Sequence, residues 1–96
     1  MTPKELRARL REIILQVPGV AGFHGGLVIH RGGLRVKTAK SGGVSFRADL
    51  ALDSGYGAAD VGEAIEEAVE EGLKAWASVP LVRSDIRFTQ LRTKIS

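Results

Sequence analysis

Leu6, Leu10, Ile13, Ile14 and Val17 recur at spacings of three and four, with Arg7, Arg9, Arg11 and Glu12 on the other faces, the period of an amphipathic helix. Thr2-Pro3-Lys4-Glu5 supplies its beginning: a hydroxyl placed for an early backbone N–H, a proline preset for the first turn, and a glutamate able to reach back. Pro18-Gly19 ends it. From Val20 the period changes. Three extended segments, residues 20–30, 34–39 and 44–53, are separated by Arg31-Gly32-Gly33 and Ser41-Gly42-Gly43 and read as a meander. In the third, Val44, Phe46, Ala48, Leu50 and Leu52 alternate with Ser45, Arg47, Asp49, Ala51 and Asp53, the pattern of a strand buried on one face.

After the breaker Ser54-Gly55-Tyr56-Gly57, a stripe of Val61, Ala64, Ile65, Ala68, Val69, Leu73 and Trp76 predicts a second helix over residues 59–77, with Trp76 in the core. Gly62 and Gly72 lie inside it, each costing about 1 kcal/mol relative to alanine; Gly72, beside the stripe, is expected to permit a close backbone approach. Pro80 precedes a last strand over residues 81–91, in which Ser84, Ile86 and Phe88 point inward and Arg83, Asp85 and Arg87 outward. The fold class is therefore α+β in the order αβββαβ, a mixed or antiparallel four-stranded sheet with both helices on one face.

Ninety-six residues make one domain with one core, and 44% hydrophobic with 26% charged residues is ordinary globular composition. No cysteine is present, which removes disulfides and thiolate metal sites. The uncharged run of residues 17–29 holds four glycines and a proline and is too short to span a membrane. The first residues lack the apolar run of a signal peptide. The expected location is the cytoplasm, with membrane association only through a partner.

Motifs for chemistry do not assemble. Along a straight strand His24 and His30 would stand about 20 Å apart, and a zinc site needs three or four ligands, so the reading is two surface histidines and no metal. Residues 23–26, with backbone N–H groups beside His24, are the one candidate for a small anionic ligand. Asp49 and Asp53 would stand about 13 Å apart, too far for a glycosidase pair. Gly55-Tyr56-Gly57 is no dinucleotide turn, because Asp60 replaces the third glycine. Gly19-Val20-Ala21-Gly22 has the letters of the RNA-binding KH loop but leads into a strand and carries no basic residue. Neither a catalytic residue nor a cofactor is expected, and the chain is read as not an enzyme.

Charge carries more. Residues 58–78 hold six carboxylates (Asp60, Glu63, Glu66, Glu67, Glu70, Glu71) against Lys74, net −5, while the rest holds 13 basic and 5 acidic residues, net +8. Arg35, Lys37, Arg47, Arg83 and Arg87 fall opposite the apolar strand positions, so the open sheet face is basic, relieved by Asp49, Asp53 and Asp85. Two uses follow. The acidic helix of one copy docks on the basic sheet, or on the first helix's arginines, of another; alternatively the sheet holds nucleic acid, although Phe46 and Phe88 point inward and leave it without stacking platforms. A merely solvated face is the plain reading of both surfaces, with Glu70 and Lys74 one favourable helical pair.

An apolar helix leading into Val17-Pro18-Gly19-Val20-Ala21-Gly22, then Gly42-Gly43-Val44 opening a strand, then Gly55 ahead of Val61, Ile65, Ala68-Val69 and a final alternating strand, resembles the bacterial alkaline shock proteins, also called envelope stress response proteins. The likeness covers nearly the whole chain, and the Val-Pro-Gly-Val-Ala-Gly segment is its most specific piece. Ser54, Ala59 and Ser78 depart from the tyrosine, proline and glycine common there, and a short leading strand is missing. The resemblance implies a non-enzymatic, self-associating protein of cell-envelope stress, a homo-oligomer in some cases held at the membrane by an anchored partner. It offers no catalytic residue to carry over.

Overall fold

The computed structural model describes residues 2–23 and 33–92, with residues 89–92 described by backbone alone. Helix α1 is Pro3–Gln16 with Thr2 as its N-cap. The Thr2 hydroxyl accepts the Glu5 backbone N–H at 3.1 Å and donates to the Glu5 carboxylate at 3.1 Å, so the box closes through the hydroxyl rather than the Thr2 N–H. Leu6, Leu10 and Ile14 are buried beneath it. Gly19 then turns the chain at φ +97, where an added Cβ would stand 2.6 Å from Val61 Cγ2, so only glycine brings the turn against the second helix.

Four strands follow: β1 (Val20–Phe23), β2 (Leu34–Thr38), β3 (Val44–Asp53) and, after helix α2 (Ala58–Trp76), β4 (Leu81–Arg92). The order αβββαβ stands as expected, and β3 keeps its expected bounds. The expected first strand over residues 20–30 is described only to Phe23, and its remainder lies outside the described residues.

The sheet is mixed, with β3 at its centre. β1 and β2 are antiparallel to β3, Val20 opposite Leu52 and Phe23 opposite Leu50, then Leu34 opposite Ala48 and Thr38 opposite Val44. β4 runs parallel to β3 along all of Val44–Asp53, and α2 is the crossover that parallel pairing requires. A strand has two edges, and β4 fills one of them. β1 and β2 must therefore lie end to end along the other, as two halves of one interrupted strand. This corrects the meander, in which they would be neighbours; among the described residues they do not pair.

Both helices lie on one face. Val44, Phe46, Ala48, Leu50 and Leu52 of β3 form a single core with Leu6, Leu10, Ile14, Val17, Leu34, Val61, Ile65, Val69 and Leu73. Gly72 marks where the helices meet: an added Cβ would stand 2.6 Å from Ile13 Cδ1 and 2.7 Å from Trp76 Cζ2. Trp76 itself is only partly buried, packed at the rim of the core with the Arg9 guanidinium 5.3 Å from its ring centre.

Candidate interaction surface

Strand alternation sends Arg35 and Lys37 of β2, Arg47 of β3, and Arg83 and Arg87 of β4 to the face away from the helices, and the register sets them in rows. Lys37, Ser45 and Arg83 form one row; Arg35, Arg47 and Asp85 form the next; Asp49 and Arg87 form a third. Arg35 thus stands directly opposite Arg47, a like-charge pair that costs stability.

The five cations are not equivalent. Arg47 Nε lies 3.9 Å from Asp49 Oδ1, and Arg87 Nε lies 3.6 Å from Asp85 Oδ1. Among the described residues Arg35, Lys37 and Arg83 form no ion pair. They surround a shallow depression of about 270 Å³ with Ser45, Phe46, Arg47 and Asp85 in its lining. The basic face expected from the sequence therefore divides into a cationic half around Ser45 and a half of alternating sign on β3 and β4. The signal for the second half was present as Arg83, Asp85 and Arg87 at every other position, but which residues neutralise them depends on register.

Glu63, Glu66, Glu67, Glu70 and Glu71 of α2 are all exposed; Glu67 and Glu70 lie opposite the buried Val61, Ile65, Val69 and Leu73, while Glu63 and Glu66 border the groove toward β4 and Glu71 the groove toward α1. Among the described residues no ion pair joins Glu70 to Lys74. Because α2 lies against the inner face of the sheet, its acidic side and the cationic sheet face point in opposite directions. The arginines of α1, the other proposed cationic surface, are used within the chain: Arg7 Nε donates to the Leu34 carbonyl at 3.3 Å, Arg9 lies over Trp76, and the Arg11 guanidinium is 4.8 Å from the Phe23 ring centre.

Two grooves flank α2. One, about 520 Å³, lies between its N-terminal half and β4, with Ala58, Gly62, Glu66, Ser84, Ile86 and Phe88 in its walls. The other, about 550 Å³, lies between the helices over Ile13, Ala64, Ala68 and Gly72. Sequence periodicity did not reveal either. His24, Gly25 and Gly26, the candidate small-ligand region, lie outside the described residues, as does His30. Among the described residues no group of three or more histidine, aspartate or glutamate side chains is placed to hold a metal, and no helix is long and apolar enough to cross a membrane.

No protein-family model and no curated protein matches the chain. Solved structures do. A MamM CTD variant in its zinc form aligns with 97% of this chain and 87% of its own at TM-score 0.63 and 18% identity. Another, in its manganese form, aligns with 97% of this chain and 100% of its own at TM-score 0.64 and 18% identity. At that identity the likeness establishes a shared fold.

Proposed function

We propose that the chain is a non-catalytic module that associates with itself, the acidic side of α2 on one copy docking on the cationic sheet face of another. One observation carries this reading: the two surfaces point away from each other, so the charges of one copy cannot neutralise one another and a second copy can. Arg35, Lys37 and Arg83, without ion pairs among the described residues, would receive Glu63, Glu67 and Glu70. Opposite patches of this kind steer association and weaken as salt rises, with screening over about 10 Å at 0.1 M. The contact is head to tail, and stacks can grow unless the rotation closes.

The envelope-stress setting implied by the alkaline shock resemblance is part of the proposal, as is attachment to a membrane through an anchored partner. The fold shared with the MamM CTD structures supports neither and opposes neither. Sedimentation velocity at 50 and 500 mM salt tests the docking: species larger than a monomer are expected at low salt and should dissociate at high salt. A monomer at both, at high protein concentration, overturns it.

The cations around Ser45, without ion pairs among the described residues, also favour a second reading, a nucleic-acid backbone laid across the same depression. Labelled single-stranded RNA should then bind with log K falling as log salt rises, and Arg35→Ala with Arg83→Ala should flatten that slope by about two phosphate contacts. Absence of binding at low salt removes this alternative.

A further inference from the structure

The outer edge of β4 meets no other strand among the described residues. An open edge twelve residues long invites pairing with another chain unless it is blunted. β4 contains no proline, and between its irregularities at Val82 and Thr89 it keeps an unbroken register with β3 over Arg83–Phe88. Its half-buried Ile86 and Phe88, facing the helices, are left beside the groove under α2.

The charges on the other face of β4 choose its partner. Across β3 and β4, Arg47 stands opposite Asp85 and Asp49 opposite Arg87, so sign alternates both along and across the two strands. We infer that a second copy of this chain pairs with the β4 edge, antiparallel, about a two-fold axis at Ile86. In that register Asp85 stands opposite the partner's Arg87 and Arg87 opposite the partner's Asp85. One row then reads Arg47, Asp85, the partner's Arg87, the partner's Asp49, and the next reads the reverse, so that pairing the two edges adds no like-charge neighbours to these rows. On the inner face Ile86 meets its own copy, and each Phe88 lies opposite a serine, the partner's Ser84.

Other two-fold registers are worse. Centred on Asp85, the pairing sets Asp85 against itself and Arg83 against the partner's Arg87. Centred on Arg87, it sets two arginines together. Centred on Ser84, it also sets opposite charges together, Asp85 with the partner's Arg83, but its pairing leaves the regular stretch of β4 at once, Ile86 falling opposite the partner's Val82, where β4 slips against β3, and Arg87 opposite the partner's Leu81. Cross-strand pairs of opposite charge favour a register and like pairs oppose it; the Ile86 register joins that pattern to pairing of residues 84–88 within the regular stretch of β4 between its irregularities at Val82 and Thr89.

This edge contact rests on the reading of the chain as self-associating, but it is distinct from the face-to-face contact and is told apart from it by which introduced cysteines cross-link. The chain contains no cysteine, so a single introduced cysteine reports one contact. Ile86→Cys, oxidised, should run at twice the chain mass on a non-reducing gel. Ser84→Cys alone should not, yet a mixture of Ser84→Cys and Phe88→Cys chains should. Thr38→Cys, on the opposite edge of the sheet, sets the background, circular dichroism checks that each variant is folded, and the mixed pair serves if Ile86→Cys is not.

Cross-linking at Ile86 and in the mixed pair supports the edge whatever its salt dependence, and if nothing larger than a dimer forms at low salt the face contact is removed as well. Salt-sensitive association with Ile86→Cys and the mixed pair at background overturns the edge and leaves the face contact standing. Self-linking at Ser84 without Ile86 overturns the register. A chain monomeric throughout overturns the dimer and leaves the edge to a strand of some other protein.

Discussion

Gly62 and Gly72 occupy the same helix ten residues apart, yet the structure gives them opposite meanings. Nothing lies within 4 Å of a Cβ built at Gly62, whereas one at Gly72 would press into Ile13 and the Trp76 indole. Gly62→Ala should therefore stabilise the chain by about 0.5–1 kcal/mol, the ordinary helical preference for alanine. Gly72→Ala should destabilise it, because separating the helices loosens apolar packing by more than that preference returns. Urea unfolding of both variants checks the pair; equal gains would show that the helices tolerate a methyl between them. The sequence placed Gly72 beside the apolar stripe. Its neighbour Ile13, fifty-nine positions away, was not legible there, because periodicity within a helix says nothing about which helix it meets.

At the scale of elements, α2 and β3 were the most legible, since each is long and its period is consistent from end to end. α2 also stores an internal conflict. Glu63 and Glu67, and Glu67 and Glu71, are i,i+4 neighbours of like charge, and each such pair costs a few tenths of a kcal/mol on an isolated helix. Glu67→Gln should stabilise the monomer by a few tenths of a kcal/mol while weakening its low-salt association. Those opposite signs, read by thermal unfolding and by sedimentation, separate a docking surface from a solvated one. If association is unchanged, the acidic side of α2 is not the docking face. The strands were less legible than the helices. β1 and β2 were recognised as extended, but their position end to end on one edge follows from β4 occupying the other, which no local pattern records.

For the whole molecule, the net charge of +3 hides a division that only folding turns into geometry. The residues themselves determined the kind of secondary structure, most of the inward and outward positions along it (Ala51, expected outward, is buried, and Trp76, expected in the core, is only partly so), the split between an acidic second helix and a basic remainder, and the α+β class. These are properties of period and composition, read within a few residues of one another. Tertiary structure decided the rest: that β4 runs parallel and, among the described residues, leaves a free edge, that Asp85 and Asp49 neutralise Arg87 and Arg47 while Arg35, Lys37 and Arg83 find no ion pair among the described residues, and that the acidic and cationic surfaces face opposite ways. Pairing partners and register are chosen by competition for two edges and by the burial of one continuous core. A residue's neighbours across a sheet are therefore set by the whole chain at once and not by the residues beside it.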